Sequence, residues 1–310
     1  MSDAQLERLA VSPRLERGLS RWAAWESERT GFGLGFRAGA FFPPFFPLNF
    51  SSDHYANPIT GKRENEINPA FGVYLTWSAK KAKLLNSDGV HAFVTRHPWA
   101  YLGLRRSEPP KNKGTLVFLP HSRKGSATPI DWGSFFSHLN SLPRKYRPFS
   151  LCLGAQDITN GFHKEVRKFG FPLYTAGDVM SQLFPYRFWR LISRFSYTAG
   201  INTGSHAFYC IWAGRPYRLF GTDSWQFWET NSSGVLEQIP HEVLFSRDYP
   251  DDETALSMTR FEESLFRDFD TPSDQQSEFV RVTLEPSNSV TRTGLIRIVW
   301  GQLLFPRKTE

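Results

Sequence analysis

The sequence predicts an α/β fold built on a parallel sheet, and three observations carry that expectation. Short apolar runs alternate with amphipathic helical patterns from Thr115 to Gly221, and such alternation is the signature of βαβ units. Glycine or proline closes most of these segments, which keeps the elements short. The chain has 310 residues, 40% of them hydrophobic, enough to bury a core without a metal or disulfide staple.

The elements follow in order. "TLVFLP" reads as a buried strand ending at Pro120. "DWGSFFSHLNSL" reads as a helix capped by Asp131, with Phe135, Phe136, Leu139 and Leu142 on one face. "FSLCLG" is the next strand, "GFHKEVRKFG" a short helix stopped by Gly170, and "FPLYTAG" a third strand. "DVMSQLFPYRFWRLISRF" reads as a longer helix, kinked or restarted at Pro185. "SYTAGIN" is a fourth strand, "SHAFYCIWAG" a helix ending at Gly214, and "PYRLFG" a fifth strand.

Upstream, "PAFGVYLTWS", "AKKAKLLNSDG" and "VHAFVTR" read as strand, basic helix and strand, the last part of a second α/β layer. The polar, proline-containing "LRRSEPPKNKG" reads as the linker. The expected organisation is an N-terminal α/β domain over 1–105, partly irregular, a linker over 106–114, a Rossmann-like domain over 115–225 and a helical region over 226–310. Downstream come the aromatic "DSWQFWE" and three helices, with Asp251 and Ser273 suited to helix starts. The last, "NSVTRTGLIRIVWGQLL", suits packing on the body or lying on a membrane surface.

Charge and cysteine usage narrow the function classes. The formal net charge is +7, which favours anionic partners. The basic residues are scattered and form no nucleic-acid motif, so no nucleic acid is expected as partner. Cys152 and Cys210 lie in apolar runs and read as core thiols. That fits a cytoplasmic setting and excludes a disulfide framework. The N-terminus shows no apolar leader, and no apolar run approaches the roughly 20 residues that span a bilayer. The histidines show no His-x-x-x-His pair, and "DYPDDE" sits at a helix start where acids are favoured anyway, so no metal is expected. No Gly-x-Ser-x-Gly elbow supports a hydrolase.

The candidate site is the turn before Ser205. Ligands of open parallel sheets bind beyond the carboxyl ends of the strands. That rule selects His121 and Ser122, Asp157, Thr175 to Asp178, and Asn202 to His206. A helix start offers free N–H groups and partial positive charge to a phosphate. Gly204 permits close approach, and Thr203 and Ser205 add hydroxyls. Plain capping by Asn202 or Thr203 is the competing reading. Asp157 suits a helix cap or a ligand contact.

The stretch "INTGSHAFYCIWAGRPYRLFG" resembles the nucleotide-binding turn and helix of GT-B glycosyltransferase-like proteins of capsule and lipopolysaccharide gene sets. "LVFLPHSRKG", "SLPRKYRPFSLCLGAQDITNG", "KFGFPLYTAGD" and "SDHYANP … YLTWSAKKAKLLNSDGV" are similar to theirs as well, over roughly Ser52 to Gly221. The resemblance implies two Rossmann-like domains with a deep inter-domain cleft, and a nucleotide-sugar donor held mainly by the second. It puts His121 and Ser122 near the donor phosphate or sugar. It puts Asn202, Thr203, Gly204, Ser205 and His206 around the phosphate, and Thr175, Ala176 and Gly177 at the base or ribose. It departs at "FFPPFFPLN", where such proteins often carry a His-Gly loop. Asp53 and His54 are the nearest candidates for a catalytic base, with His121 as a third catalytic candidate.

The implied activity is metal-independent transfer of a sugar from a nucleotide-sugar to a surface polysaccharide or glycolipid acceptor. No permanently bound cofactor is implied. The implied location is cytoplasmic, with a peripheral contact on an anionic inner membrane face. The missing His-Gly loop leaves open a non-catalytic binding or assembly subunit, and the two-domain design leaves open a sugar-nucleotide epimerase.

Overall fold

The computed structural model of the protein describes residues 1–11, 51–52, 74–101, 114–121, 126–179, 181, 183–231, 233–239, 252–267, 270–291, 293–295 and 297–298. The chain forms two compact units. One comprises Met1–Pro13, Arg105–Arg247 and Leu256–Ser277, and the other Arg14–Leu104, Asp248–Ala255 and Glu278–Glu310.

The first helix, α1 (Asp3–Ala10), opens with a capping box in which Ser2 and Gln5 satisfy each other's backbone N–H. The second unit then contributes parallel strands β1 (Ser51–Ser52), β2 (Tyr74–Thr76) and β3 (Ala92–Val94), in the order β1-β2-β3. Between β2 and β3 runs α2 (Ala79–Ser87), capped by the Ser78 side chain. Tyr74, Ala82, Leu85 and Ala92 form their shared core. The strand–helix–strand reading of this segment is therefore met. A short helix α3 (Pro98–Tyr101) follows. The linker reading, apart from Gly114, and the "FFPPFFPLN" reading lie outside the described residues.

The larger unit is a parallel five-stranded sheet with helices on both faces. Its strands are β4 (Thr115–Phe118), β6 (Phe149–Cys152), β7 (Leu173–Tyr174), β8 (Tyr197–Gly200) and β9 (Tyr217–Leu219). Their order is β7-β6-β4-β8-β9, all parallel. Strand β5 (Ser126–Ala127) lies apart, in a small antiparallel sheet with β10 (Phe227–Thr230) and β11 (Leu236–Ile239). The alternation along each strand divides the core. Val117, Leu151 and Ala199 point to one face, with α4 (Trp132–Ser141), α5 (Ala155–Thr159), α6 (Phe162–Arg167) and α1 supplying Phe135, Leu139, Ile158, Val166, Leu6 and Ala10. On the other face Phe118 stacks on Phe188 of α7 (Phe184–Ile192), which meets Tyr209 of α8 (Ser205–Trp212) edge-on. The predicted Rossmann-like α/β layer is thus present.

Asp131 caps α4 as expected, its Oδ1 accepting from Gly133 and Ser134 N–H at 3.0 and 3.2 Å. Ser273 opens α10 (Asp274–Leu284) in a reciprocal bond with Gln276. The preceding helix is α9 (Asp252–Leu265). Of the third predicted helix, residues 293–295 and 297–298 are helical, and 299–304 lie outside the described residues. Among the described residues no helix is long and apolar enough to cross a membrane.

Four readings are corrected. The helix expected from Asp178 begins at Phe184, because Pro185 fits a first turn, where its missing N–H costs nothing. Asp157 does not cap α5; it lies inside the first turn, and Gly154 holds the cap position. The first residues of the expected 1–105 domain belong to the sheet unit, since Leu6 and Ala10 bury into its core. The aromatic stretch after Gly221 contains β10, whose hairpin with β11 the sequence reading missed. Asn231 Oδ1 closes that hairpin by accepting from Ser233 and Val235 N–H.

Candidate functional site

Strands β4 and β8 are neighbours, and the chain leaves them in opposite directions, toward β6 and β7 on one side and β9 on the other. This is a topological switch point, where loops diverge and leave a crevice at the carboxyl edge. His121 lies exposed at the end of the β4 loop. Asn202, Thr203 and Gly204 form the β8 loop, and α8 begins at Ser205.

The start of α8 is uncapped. Gly204 occupies the cap position, and no side chain bonds back to the first turn. Asn202 and Thr203 therefore do not do what the capping reading requires. Asn202 Oδ1 and Thr203 Oγ1 are instead buried, without a hydrogen bond of good geometry. Buried polar atoms of this kind cost about 1–3 kcal/mol each when left unpaired. The Ser205 hydroxyl contacts the Tyr209 phenol one turn along the helix. Gly204 has extended backbone, φ −143° and ψ −171°, open to any residue. Space is what it provides: a β-carbon there would sit 3.0 Å from the His206 ring.

His206 supports the loop from beneath. Its ring stacks on Phe118 at 4.9 Å between centroids. Its Nε2 lies 2.9 Å from the Tyr217 hydroxyl, which in turn donates to the Asn202 carbonyl at 2.8 Å. The chain of bonds closes when Nε2–H donates to Tyr217 and the phenol passes its own hydrogen on. Burial, assisted by His121 nearby, drives the His206 imidazole down to about 3, against the pull of the Asn202 carbonyl. The ring is neutral, and its place is in the core under the loop rather than against a phosphate. Gly200 completes the support, since a β-carbon there would collide with the Tyr217 hydroxyl.

Glu262 of α9 was not singled out from the sequence. Among the described residues no ion pair joins it, and its Oε1 is buried without a hydrogen bond. Burial raises its carboxyl to about 6. The Thr203 hydroxyl pulls the other way, lying against the carboxyl in no hydrogen bond of good geometry. The signal was present in the pattern. Met258, Phe261 and Leu265 are the buried positions of α9, and Glu262 falls four residues after Met258, beside them on that face. A carboxylate on an apolar helix face marks a perturbed group.

The remaining residues divide. His121 packs its Cβ against Gly154, where a β-carbon would come within 2.9 Å of it. Thr175, Ala176 and Gly177 are buried, and α1 takes the surface expected to meet a base or ribose. The Asp178 N–H donates to the Leu9 carbonyl at 3.2 Å. The Gly177 N–H turns back to Thr175 Oγ1 at 3.0 Å. Gly177 has φ +84° and faces the Leu9 carbonyl so closely that no side chain fits. Asp53, His54 and Ser122 lie outside the described residues. The structure thus brings together His121, the Asn202–His206 turn, Tyr217 and Glu262, and sets Thr175 and Gly177 under α1.

Chemically, the crevice offers a helix N-terminus without a cap, orphaned oxygens beside it and a neutral imidazole beneath it. Searches of protein-family models and of curated protein sequences find no match to this chain.

Proposed function

We propose that the β8–α8 turn binds the phosphates of a nucleotide-sugar, and that the protein transfers the sugar to a polysaccharide or glycolipid acceptor. The observation that carries the reading is the uncapped start of α8 at the switch point of the sheet. Free N–H groups and the helix dipole suit an anion there. They also suit the chemistry. As the sugar–phosphate C–O bond breaks, its electron pair moves onto the phosphate oxygen, and fixed donors stabilise that charge without a metal. The acceptor hydroxyl adds to the sugar carbon and loses its proton to a base. Asp53 and His54 remain the candidates for that base in this reading, and His121 stands at the mouth near the donor. In the GT-B arrangement this implies, the other unit supplies the acceptor side. The net charge of +7 suits an anionic acceptor or an anionic membrane face.

A thermal-shift screen with CMP, UDP, GDP and dTDP tests the reading. Binding to the native state raises the melting temperature by mass action. One nucleotide is expected to stabilise the protein, and its sugar conjugate to be consumed when acceptor is added. No shift with any of them at millimolar concentration contradicts the phosphate site. A shift without turnover leaves the site but favours a binding subunit over a transferase.

A further inference from the structure

Glu262 has no place in the transfer chemistry above, and a half-buried carboxyl with no cationic partner among the described residues is costly to keep ionised. Three observations locate it. It faces Thr203, one residue before the open helix start at Gly204. It is held there by α9 packing on α8, with Phe261 against Phe208 at 5.0 Å between ring centroids. Its Oε1 is buried without a hydrogen bond, as are Thr203 Oγ1 and Asn202 Oδ1. The site therefore holds a negative group beside the position where a phosphate would bring more negative charge.

We propose that Glu262 is the proton-carrying group of this site, so that an anionic ligand enters together with one proton, which Glu262 holds while the ligand is bound. This rests on the phosphate reading above and specifies how the site selects its ligand's charge state. When protonated, the carboxyl turns from acceptor-only into a donor and can bond an oxygen of the ligand or of Thr203. When ionised, it repels the ligand across a partly buried path where screening is weak.

The other ionisable groups described around the turn do not supply the same switch. Tyr217 from β9 feels the Glu262 charge, and it and Tyr209 and Cys210 from α8 are all pushed upward by burial and stay neutral. His206 is pushed down to about 3 and is neutral too. The buried Arg215 donates to the Ser193 carbonyl. Glu263, the neighbour on α9, is exposed. Among the described residues His121 is a further ionisable group near the turn, and a variant of Glu262 alone separates the two.

The free carboxyl titrates at about 6, and a bound anion raises it further. Affinity is therefore highest below that value and falls as pH rises through it. A rise of about one pKa unit on binding gives a tenfold range of affinity. The test is calorimetric titration of the whole chain with pyrophosphate at pH 5.5, 6.5 and 7.5, for wild type, Glu262→Gln and Thr203→Val. Comparison with Glu262→Gln cancels the titration of pyrophosphate itself.

The expected result is that Glu262→Gln binds about tenfold more tightly than wild type at pH 7.5, with the two converging at pH 5.5. Thr203→Val removes the hydroxyl that favours the ionised carboxyl, so the wild-type midpoint should move to higher pH. A merely structural Thr203 would not move it. The inference is overturned if wild type and Glu262→Gln bind with the same pH dependence. Absence of pyrophosphate binding by both at every pH overturns the phosphate reading and this inference with it. Should Glu262→Gln fail to fold, the Thr203→Val midpoint decides alone, and an unmoved midpoint overturns the proposal.

Discussion

At the scale of single residues, the support under the β8 loop makes the sharpest predictions. Tyr217→Phe leaves His206 Nε2 and the Asn202 carbonyl only their longer 3.3 Å bond to each other, and should cost about 1 kcal/mol in urea unfolding. Gly200→Ala drives a methyl into the Tyr217 hydroxyl and should cost about as much. Much of that cost should vanish in the Tyr217→Phe background, because the obstructing atom is gone. Additive effects of the two changes would contradict the contact.

The pH dependence of stability follows from His206 and Glu262 together. His206 falls from 6.5 to about 3 on folding, so the unfolded chain binds more protons between those values. Stability therefore rises with pH across that window and is level above it. Glu262 rises from 4.5 to about 6, so its contribution is present below 4.5 and is lost as pH climbs through 6. The larger shift belongs to His206. Between pH 4.5 and 6.5 the two contributions oppose each other, so melting temperature should climb modestly in wild type, climb more steeply in Glu262→Gln, and fall in His206→Gln, where Glu262 alone is left. Parallel profiles for all three proteins would contradict these assignments.

The sequence marked Asn202 to His206 because polar residues opening an apolar helix after a strand are visible in one dimension. It could not show that the His206 ring turns inward, since Phe118 and Tyr217 decide that from other strands. Glu262 was hidden because its partner Thr203 lies 59 positions away in the chain, although its place on the apolar face of α9 was readable.

At the scale of elements, strands β4, β6, β7, β8 and β9 were legible because each is a short apolar run between turn residues. Helix α4 was legible because Asp131 announces it. Asp131→Ala should cost about 1 kcal/mol, measured by the shift in urea midpoint, and a loss near zero would contradict the cap. The start of α7 was misplaced because the polar stretch before Pro185 has helical composition but gives its first N–H, at Asp178, to α1. Helix α1 was not read from the sequence, and its residues were grouped with the 1–105 domain although they belong to the sheet unit. Its amphipathic pattern says that it packs, and only the tertiary structure says on what. Leu6 is fully buried in the sheet unit, so Leu6→Ala should cost about 2–5 kcal/mol. A cost below about 1 kcal/mol would mean that α1 is only laid on the surface. Because α1 covers Thr175 to Gly177, nucleotide contacts on this side of the crevice should survive substitution of Thr175.

At the scale of the whole molecule, the alternation of strands and helices gave the layer its class, and the strand order then set β4 and β8 side by side with their connections leaving in opposite directions. That order, β7-β6-β4-β8-β9, is not readable from the chain, because every connection between parallel strands looks alike in sequence. It brings the loops after β4 and β8 side by side at the carboxyl edge. The positive net charge acts at this scale as well, and anion binding should weaken as ionic strength shortens the reach of the field.

The most direct test of the central claim is calorimetric titration of a nucleoside diphosphate, the one selected by the thermal-shift screen, into wild type, Gly204→Asn and Gly204→Asp at one pH and ionic strength. The two side chains are nearly equal in size and press on the His206 ring alike, so their difference reads charge at the start of α8. If that start holds the phosphates, Gly204→Asp binds at least tenfold more weakly than Gly204→Asn while both melt at similar temperatures. Equal affinities for the two variants would place the phosphates elsewhere.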